Sequence, residues 1–316
     1  MTRRVLATAV LLALASLAST VGKVPDSAAT TSTIHTFSTP DEAVNALVGA
    51  MRSDNAVALR NVLGPGSDPL IQSGDRVADA QARQRFLAAY DAKHAIVPGP
   101  LGRMVLTVGE DDWPLPIPIV MSSGRWLFDS HIGARVLIER RIGRNEIAAV
   151  RTALAYVDAQ RLYFRLTSQR GAGEYAQRLV STLGEHDGLY WPARAGEPDS
   201  PLEPLVRQAV SEGYPGANVS GRPAPYYGYY FRILTAQGDN APGGPRRYVV
   251  DGRMTEGFAM IAWPAVYGVS GIMTFEVNQD GVIYQKDLGA ETDSEAPKLQ
   301  LFDPDLSWVR VDITGR

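Results

Sequence analysis

The sequence contains no cysteine, and this absence excludes several classes of protein. Without thiols, the chain forms no disulfide, has no thiolate nucleophile, and cannot hold zinc or an iron–sulfur cluster through cysteine. It also lacks a strong excess of charge, since 31 Lys and Arg residues stand against 34 Asp and Glu residues. Because the net charge is only -3, the chain has no overall basic character, and we expect no nucleic-acid partner.

The composition that remains is that of an ordinary folded protein, with 45% hydrophobic and 21% charged residues. A length of 316 residues is about twice that of an average domain, which predicts two domains. We place the first over residues 37–130 and the second over residues 131–316, the latter with an insertion rich in Pro and Gly. No cofactor-binding motif stands out, and we expect no cofactor.

The N-terminus has the pattern of a secretory signal peptide over residues 1–18. Arg3 and Arg4 precede an apolar run from Val5 to Leu17, and Ser16-Leu17-Ala18 places small residues at a cleavage site. Residues 19–36 read as a flexible leader. We therefore expect an exported protein, periplasmic or extracellular, with no membrane span in its mature form.

Helical patterns open the first domain. Thr39-Pro40-Asp41-Glu42 is typical of a helix start, with Thr39 as the capping residue. Apolar spacing predicts helices to about Met51, over Ala56–Leu63 and over Ala78–Lys93. Predicted strands then follow at Met104–Val108, Ile117–Met121 and Arg125–Phe128. This order predicts an α+β domain shaped as a cone.

The second domain begins with a long predicted helix, from about Ile132 to Leu166, with a bend near Gly143. A short helix is expected after Glu174, and another over Leu202–Glu212. Four strands are then predicted, at Tyr229–Leu234, Phe258–Trp263, Gly271–Val277 and Val282–Gln285. The sequence therefore predicts a long helix packed on a four-stranded antiparallel sheet, again an α+β arrangement.

Segments of the first domain resemble a known superfamily. Thr39–Leu63 and Gly124–Asp129 are similar to the NTF2-like (SnoaL-like) superfamily. The resemblance implies a cone-shaped fold. Since members include enzymes, binding modules and dimerisation domains, it does not define an activity.

Segments of the second domain resemble the heads of type IV pilins and pseudopilins. The similar segments are Asn145–Thr152 with Ala159, Gln160 and Tyr163 on the helix, and Gly228–Phe231, Gly271–Phe275 and Gln279–Ile283 in the strands. The resemblance implies a helix packed on an antiparallel sheet. No prepilin cleavage motif or apolar polymerisation helix precedes the head, so filament formation is not implied.

The whole chain also resembles a family of secreted bacterial proteins, domain-of-unknown-function family 2950. The similar segments, within residues 37–310, are Gly109–Pro114, Asp187–Pro192, Gly228–Gln237, Ala262–Gly271 and Asn278–Gly289. This resemblance implies an envelope location and a two-part layout, and it implies no activity.

Few residues suggest catalysis or metal binding. Asp111 and Asp112, with His94, are the candidate acids and bases, although adjacent carboxylates also suit a solvated turn. Gly268–Ile272 lacks the last glycine of a nucleophile elbow and is interpreted as a turn. Asp280 and Asp287 are the only candidate metal ligands that we name, and we expect no metal.

Aromatic residues are the main clue to binding. The candidates are Trp113, Tyr190, Trp191, Tyr226, Tyr227 and Trp263. Exposed aromatic rings stack on sugars or anchor protein partners, whereas the same rings also fill cores. If Trp191 and Tyr227 lie at the surface, replacing both with Ala will abolish partner capture and leave thermal stability nearly unchanged.

These observations favour a non-enzymatic binding or assembly adaptor whose partner is another envelope protein or a polymer. One alternative is a small-molecule hydrolase or isomerase that uses a pocket in the N-terminal cone. Another is an accessory protein that binds secretion pseudopilins. The oligomeric state is left open.

Overall fold

The computed structural model describes residues 35–194, 196–215 and 224–312. The predicted signal peptide, and the predicted leader up to residue 34, lie outside the described residues. The described residues belong to one compact unit, Thr33–Arg316, which contains two hydrophobic cores.

Four helices open the fold: α1 (Pro40–Arg52), α2 (Ala56–Leu63), α3 (Asp68–Ile71) and α4 (Arg76–Ala92). The start of α1 follows the sequence pattern, because Thr39 Oγ1 accepts a 3.1 Å hydrogen bond from the Glu42 N–H. Glu42 in turn accepts a 2.8 Å bond from the N–H of Ser38, which satisfies a further donor beside the helix end. The buried face of α1 carries Leu47 and other apolar side chains.

An antiparallel sheet follows: β1 (His94–Pro98), β2 (Met104–Val108), β3 (Trp113–Pro114), β4 (Ile119–Ser122) and β5 (Arg125–Phe128). Its strand order is β1-β2-β4-β5, with β3 paired to β2. Leu106, Ile119 and Phe128 are fully buried between this sheet and the helices. The predicted helices and strands of this part are present, and α3, β1 and β3 are additional.

The long helix α5 (Ala134–Ser168) contributes to both cores. Leu137, near its start, packs on the first core, whereas Tyr156 and Tyr163 are buried in the second. The helix runs 35 residues and continues through Gly143, where the sequence suggested a bend. Glycine weakens a helix by about 1 kcal/mol, which packing on two cores offsets.

Among the described residues, two short α-helices and nine strands follow α5. They are α6 (Glu203–Ser211), β6 (Tyr229–Leu234), β7 (Ala236–Gln237), β8 (Arg246–Arg247), β9 (Val249–Val250), β10 (Arg253–Met254), β11 (Ala259–Pro264), β12 (Met273–Asn278), β13 (Ile283–Asp287), α7 (Thr292–Glu295) and β14 (Val309–Arg310). The main sheet has the order β14-β13-β12-β11-β6, and all its pairs are antiparallel. It has five strands where four were predicted, because β14 adds a short edge to β13. The fold is α+β.

The short helix expected after Glu174 is absent from the described residues. The buried side chain of Gln160 replaces the hydrogen bonds that a helix would make there. Its amide donates to the carbonyl of Ala176 and accepts from the N–H of the same residue, both at 2.8 Å. Further on, Tyr190 donates to Leu179 and accepts from Ser181, so this segment pairs with itself in extended form.

Candidate functional site

A cavity of about 710 Å³ lies in the N-terminal part, bounded by α1, α2, α4, the first sheet and the start of α5. We call it the N-terminal cavity. Its apolar lining includes Leu47, Leu59, Phe86, Trp113, Leu115 and Leu137. Its polar lining consists of Asp79, Arg83, Arg85, Asp111, Arg140, Arg141 and Arg144. A hollow of this size and character suits a small, largely apolar molecule.

Two helices present matching faces to the cavity. On α4, Asp79, Arg83 and Phe86 are spaced by four and three residues, so they share one face. On α5, Leu137, Arg141 and Arg144 are spaced in the same way. The cavity therefore has an apolar interior, with polar groups contributed by one face of each helix.

Arg141 is held in place by backbone carbonyls of α3. Its guanidinium donates to the carbonyl oxygens of Pro69, at 2.5 Å, and Leu70, at 3.1 Å. Burial lowers its pKa, and the neighbouring Asp79 carboxyl acts in the opposite direction. Since Arg141 connects α5 to α3, its first role is structural.

Asp79 is the partly buried carboxyl of the cavity. Its Oδ2 accepts a 2.9 Å hydrogen bond from the N–H of Ser73. Burial raises the pKa of Asp79, while the hydrogen bonds from Ser73 and the charge of Arg141 lower it. Burial is the largest of these effects, so the pKa is raised overall and the Asp79 carboxyl keeps its proton to a higher pH than an exposed aspartate does.

Arg85, Arg140 and Arg144 form a second polar group, at the mouth of the cavity, and we call it the arginine rim. All three side chains are exposed. Arg144 is nevertheless partly desolvated by the surrounding protein, which lowers its pKa, and the like charges of Arg85 and Arg140 lower it further. Within the described residues, neither Arg140 nor Arg144 has a carboxylate partner, whereas Arg83 pairs with Asp54 at 2.5 Å.

The catalytic candidates from the sequence do not converge. Asp111 lines the cavity, but Asp112 points to Lys93 and forms a 2.8 Å salt bridge with it. His94 stacks on Tyr90, with 3.8 Å between ring centroids, and its Nδ1 lies 2.9 Å from the Tyr90 carbonyl. No acid–base pair is therefore formed by these residues.

The aromatic candidates separate into different environments. Trp113 lines the N-terminal cavity. Tyr190 and Tyr226 line a second hollow of about 400 Å³ in the C-terminal part, beside Tyr230 and Phe231.

Three further aromatic candidates lie elsewhere. Tyr227 packs on Tyr226, with 4.7 Å between ring centroids. Trp263 is partly buried, and the Arg232 guanidinium lies 5.6 Å from its ring centroid. Trp191 is only 4% exposed and its ring stacks on His186. The expectation that replacing Trp191 and Tyr227 with Ala leaves thermal stability unchanged required both rings to lie at the surface. The burial of Trp191 shows that this condition is not met.

The metal candidates are engaged separately. Asp280 accepts from the Asn278 side chain at 3.1 Å, and Asp287 accepts from the Tyr267 hydroxyl at 3.3 Å. No group of three or more His, Cys, Asp or Glu side chains in the described part of the chain is placed to hold a metal ion. Ser270, in the imperfect elbow, is fully buried and bonds to the backbone of Val266.

Sequence reasoning missed Asp79 and the cavity arginines. The usable signal was the spacing of Leu137, Arg140, Arg141 and Arg144, which places charged residues on the same face as an apolar one. That spacing shows which residues share a face, but not what the face contacts.

A family model described as "Protein of unknown function (DUF2950)" matches residues 34–311. The chain belongs to the DUF2950 family. The match covers both cores and the N-terminal cavity, so the whole described fold is that of a DUF2950 protein. It confirms the family resemblance on which the sequence analysis relied.

No curated protein and no solved structure matches the chain. Among the described residues of this DUF2950 protein, no helix is both long enough and apolar enough to cross a membrane.

Proposed function

We propose that this DUF2950 protein is a non-enzymatic binding protein that holds a small, largely apolar molecule in its N-terminal cavity. The observation that carries the proposal is the cavity of about 710 Å³ with its apolar interior. Cores normally fill at near-crystal density, so a hollow of this size in a folded part is a feature that a ligand would explain. Its volume lies within the range of about 300–1,000 Å³ that is typical of ligand pockets.

We further propose that the protein is exported and binds its ligand outside the cytoplasm. Support comes from the sequence pattern of Arg3, Arg4 and the apolar run Val5–Leu17. Cell fractionation, with N-terminal sequencing of the recovered protein, tests this proposal. An intact Met1 in the cytoplasmic fraction would overturn it.

The finer fold assignments also remain proposals. Helices followed by an antiparallel sheet support an NTF2-like cone, and α5 packed beside β11 and β12 supports a pilin-head-like part. An NTF2-like cone is consistent with a pocket between its helices and its sheet. An experimental structure compared with members of both groups is the test.

The binding proposal is tested by filling the cavity. Ala82 and Ala88 are both exposed on α4, but only Ala82 lines the cavity. We expect Ala82→Trp to weaken binding of the neutral dye Nile red strongly, because the indole occupies the space of the ligand. Ala88→Trp is the matched control and should bind as the wild type does.

Equal Nile red binding by the wild type and both variants would contradict the proposal, since the dye would then occupy another place such as the second hollow. Far-ultraviolet circular dichroism and the Tm of each variant show that both are folded. A loss of binding in both variants would also contradict it, because Ala88 does not line the cavity.

A second candidate function is a hydrolase or isomerase reaction in the same cavity. The observation that favours it is Asp79, a carboxyl inside the cavity whose pKa is raised by burial, which suits a general acid. Turnover of p-nitrophenyl butyrate that disappears in Asp79→Asn, with Nile red binding retained, would support the enzyme. Absence of turnover at pH values on both sides of neutrality would leave binding as the function.

Partner binding is a proposal that rests on the second hollow. Tyr190 and Tyr226 line it, and such rings anchor partner side chains or stack on polymers. In-cell crosslinking of a Tyr226→Ala variant, compared with the wild type, tests an adaptor function. A captured secretion pseudopilin would favour the accessory-protein alternative, and capture unchanged by the substitution would argue against this surface.

A further inference from the structure

Within the proposed binding function, the geometry points to a definite ligand class. We propose that the N-terminal cavity selects a molecule with one anionic head on an apolar body, and that the arginine rim of Arg85, Arg140 and Arg144 holds the head. The proposal deepens the proposed function, because it requires that the cavity bind a ligand.

The arginine rim is a local excess of positive charge on a protein that is acidic overall. The net charge of the chain is -3, so an overall excess of basic residues does not explain why three arginines lie together at this cavity. In the described structure, Arg140 and Arg144 form no salt bridge, and Arg85 makes one weak bond, at 3.4 Å, to Gln81. The charges of Arg85 and Arg140 act unfavourably on that of Arg144, and a bound anion would relieve this repulsion.

The neighbouring carboxylates leave this charge largely uncompensated. Asp54 is taken by Arg83, and the buried carboxyl of Asp79 is bound by Ser73 and lies beside Arg141. Asp111 also lines the cavity, but no ion pair joins it to an arginine of the rim. The cavity lining therefore combines the three exposed guanidinium groups of the arginine rim with one carboxylate, Asp111, that has no ion pair among the described residues.

The interior supplies the second half of the recognition. Most of the remaining lining is apolar, with Phe86, Trp113 and Leu137 among its side chains. An aliphatic body gains about 0.8 kcal/mol for each methylene group removed from water. Guanidinium groups bind carboxylate and phosphate oxygens in a forked geometry, so either head is compatible with the rim.

The experiment compares probes that differ only in the head. Titration calorimetry of the purified full chain, below the micelle concentrations, uses dodecanoate, dodecyl phosphate and uncharged dodecanol. Acetate and inorganic phosphate test the heads alone. We expect either dodecyl anion to bind about tenfold more tightly than dodecanol, as one good charge-assisted contact allows. The ratio between dodecanoate and dodecyl phosphate identifies the preferred head.

The variant Arg140→Gln/Arg144→Gln removes two of the three charges of the arginine rim and leaves the cavity open. We expect it to bind the preferred anion about tenfold more weakly and dodecanol unchanged. The matched control is Arg151→Gln/Arg165→Gln, which removes two exposed arginines of the same helix outside the cavity. Arg141 is left intact because it bonds to α3.

The outcomes separate the two proposals. Equal binding of dodecanol and both anions, or anion binding unchanged in Arg140→Gln/Arg144→Gln, would overturn the anion selectivity and leave the binding function standing. Loss of anion binding in the control variant as well would also overturn it, because the effect would then be one of total charge. No binding of any dodecyl probe would overturn the binding function itself.

Discussion

The hydroxyl of Tyr214 donates a 2.8 Å hydrogen bond to Oδ2 of Asp75, a residue 139 positions earlier in the chain. The same oxygen accepts the N–H of Gly228 at 2.9 Å, while Oδ1 caps α4 by accepting from Val77 and Ala78. One buried carboxyl group thus joins the start of the cavity helix α4 to the C-terminal part. This contact orients the wall of the N-terminal cavity that α4 forms.

Asp75→Ala is expected to lower the free energy of unfolding by about 3 kcal/mol, because it removes a helix cap and leaves buried donors unpaired. Tyr214→Phe should cost less, about 1–2 kcal/mol, because the hydroxyl loses two bonds: the one to Asp75 and a 3.1 Å bond that it accepts from the Tyr227 N–H. Urea unfolding at neutral pH measures both. Asp239→Ala removes an exposed carboxylate and is the control; a similar loss of stability there would contradict the role of Asp75.

The close packing at Gly228 gives a second stability prediction. Its backbone has φ of +75°, and an added Cβ would lie 2.5 Å from Nδ2 of Asn145. Gly228→Ala should therefore destabilise the fold by about 2–4 kcal/mol, from backbone strain and overpacking together. Gly252 has a similar φ of +77° but open space around it. Gly252→Ala isolates the strain, and an equal Tm for the two variants would show that packing at Gly228 is unimportant.

The burial of Trp191 reverses the stability expected from sequence. Its indole Nε1 donates to the Pro198 carbonyl at 3.3 Å, and its ring packs on His186. We expect Trp191→Ala to lower the free energy of unfolding by about 3–5 kcal/mol, through the cavity that it leaves. Thermal unfolding of each variant measures the effect, and Leu183→Ala, at an exposed position, is the control. An unchanged Tm for Trp191→Ala would contradict the burial of this side chain.

Glu276 predicts a pH dependence of stability. Burial raises the pKa of this carboxyl to about 8 from an ordinary value of 4.5, so the folded protein retains a proton that the unfolded chain loses. The stabilising effect is present in full below pH 4.5 and is lost as pH rises through about 8. Wild-type stability should therefore fall over this range relative to Glu276→Gln, which does not titrate.

Urea unfolding of the wild type and Glu276→Gln across that pH range measures the difference. Glu291→Gln is the control, because Glu291 is exposed and should leave the pH profile unchanged. A constant difference between the wild type and Glu276→Gln would contradict the raised pKa.

Much of the fold follows from local patterns. The apolar spacing and the Thr39 cap predict α1, and short apolar segments predict β6, β11, β12 and β13 close to their observed bounds. Local patterns fail where a distant side chain intervenes. The helix expected after Glu174 does not form, because the buried amide of Gln160 takes both backbone groups of Ala176.

The candidate site is less accessible to sequence reasoning. Trp113 and Asp111 were named from the sequence, and both line the N-terminal cavity. Asp79 and Arg144 lie on different helices, and nothing in their local surroundings shows that they face one hollow. The sequence left open whether Trp191 lies at the surface or in the core, because its burial depends on packing against residues such as His186.

By itself, the sequence determined the α+β class, most elements and the family, because these depend on periodicity, capping and motifs that are local in the chain. Only the tertiary structure decided which side chains are buried, which line the N-terminal cavity, and which charges are left without partners. The physical reason is that burial and charge pairing depend on residues brought together from distant positions, as Asp75 and Tyr214 are. The arginine rim is likewise a product of two helices meeting across a hollow.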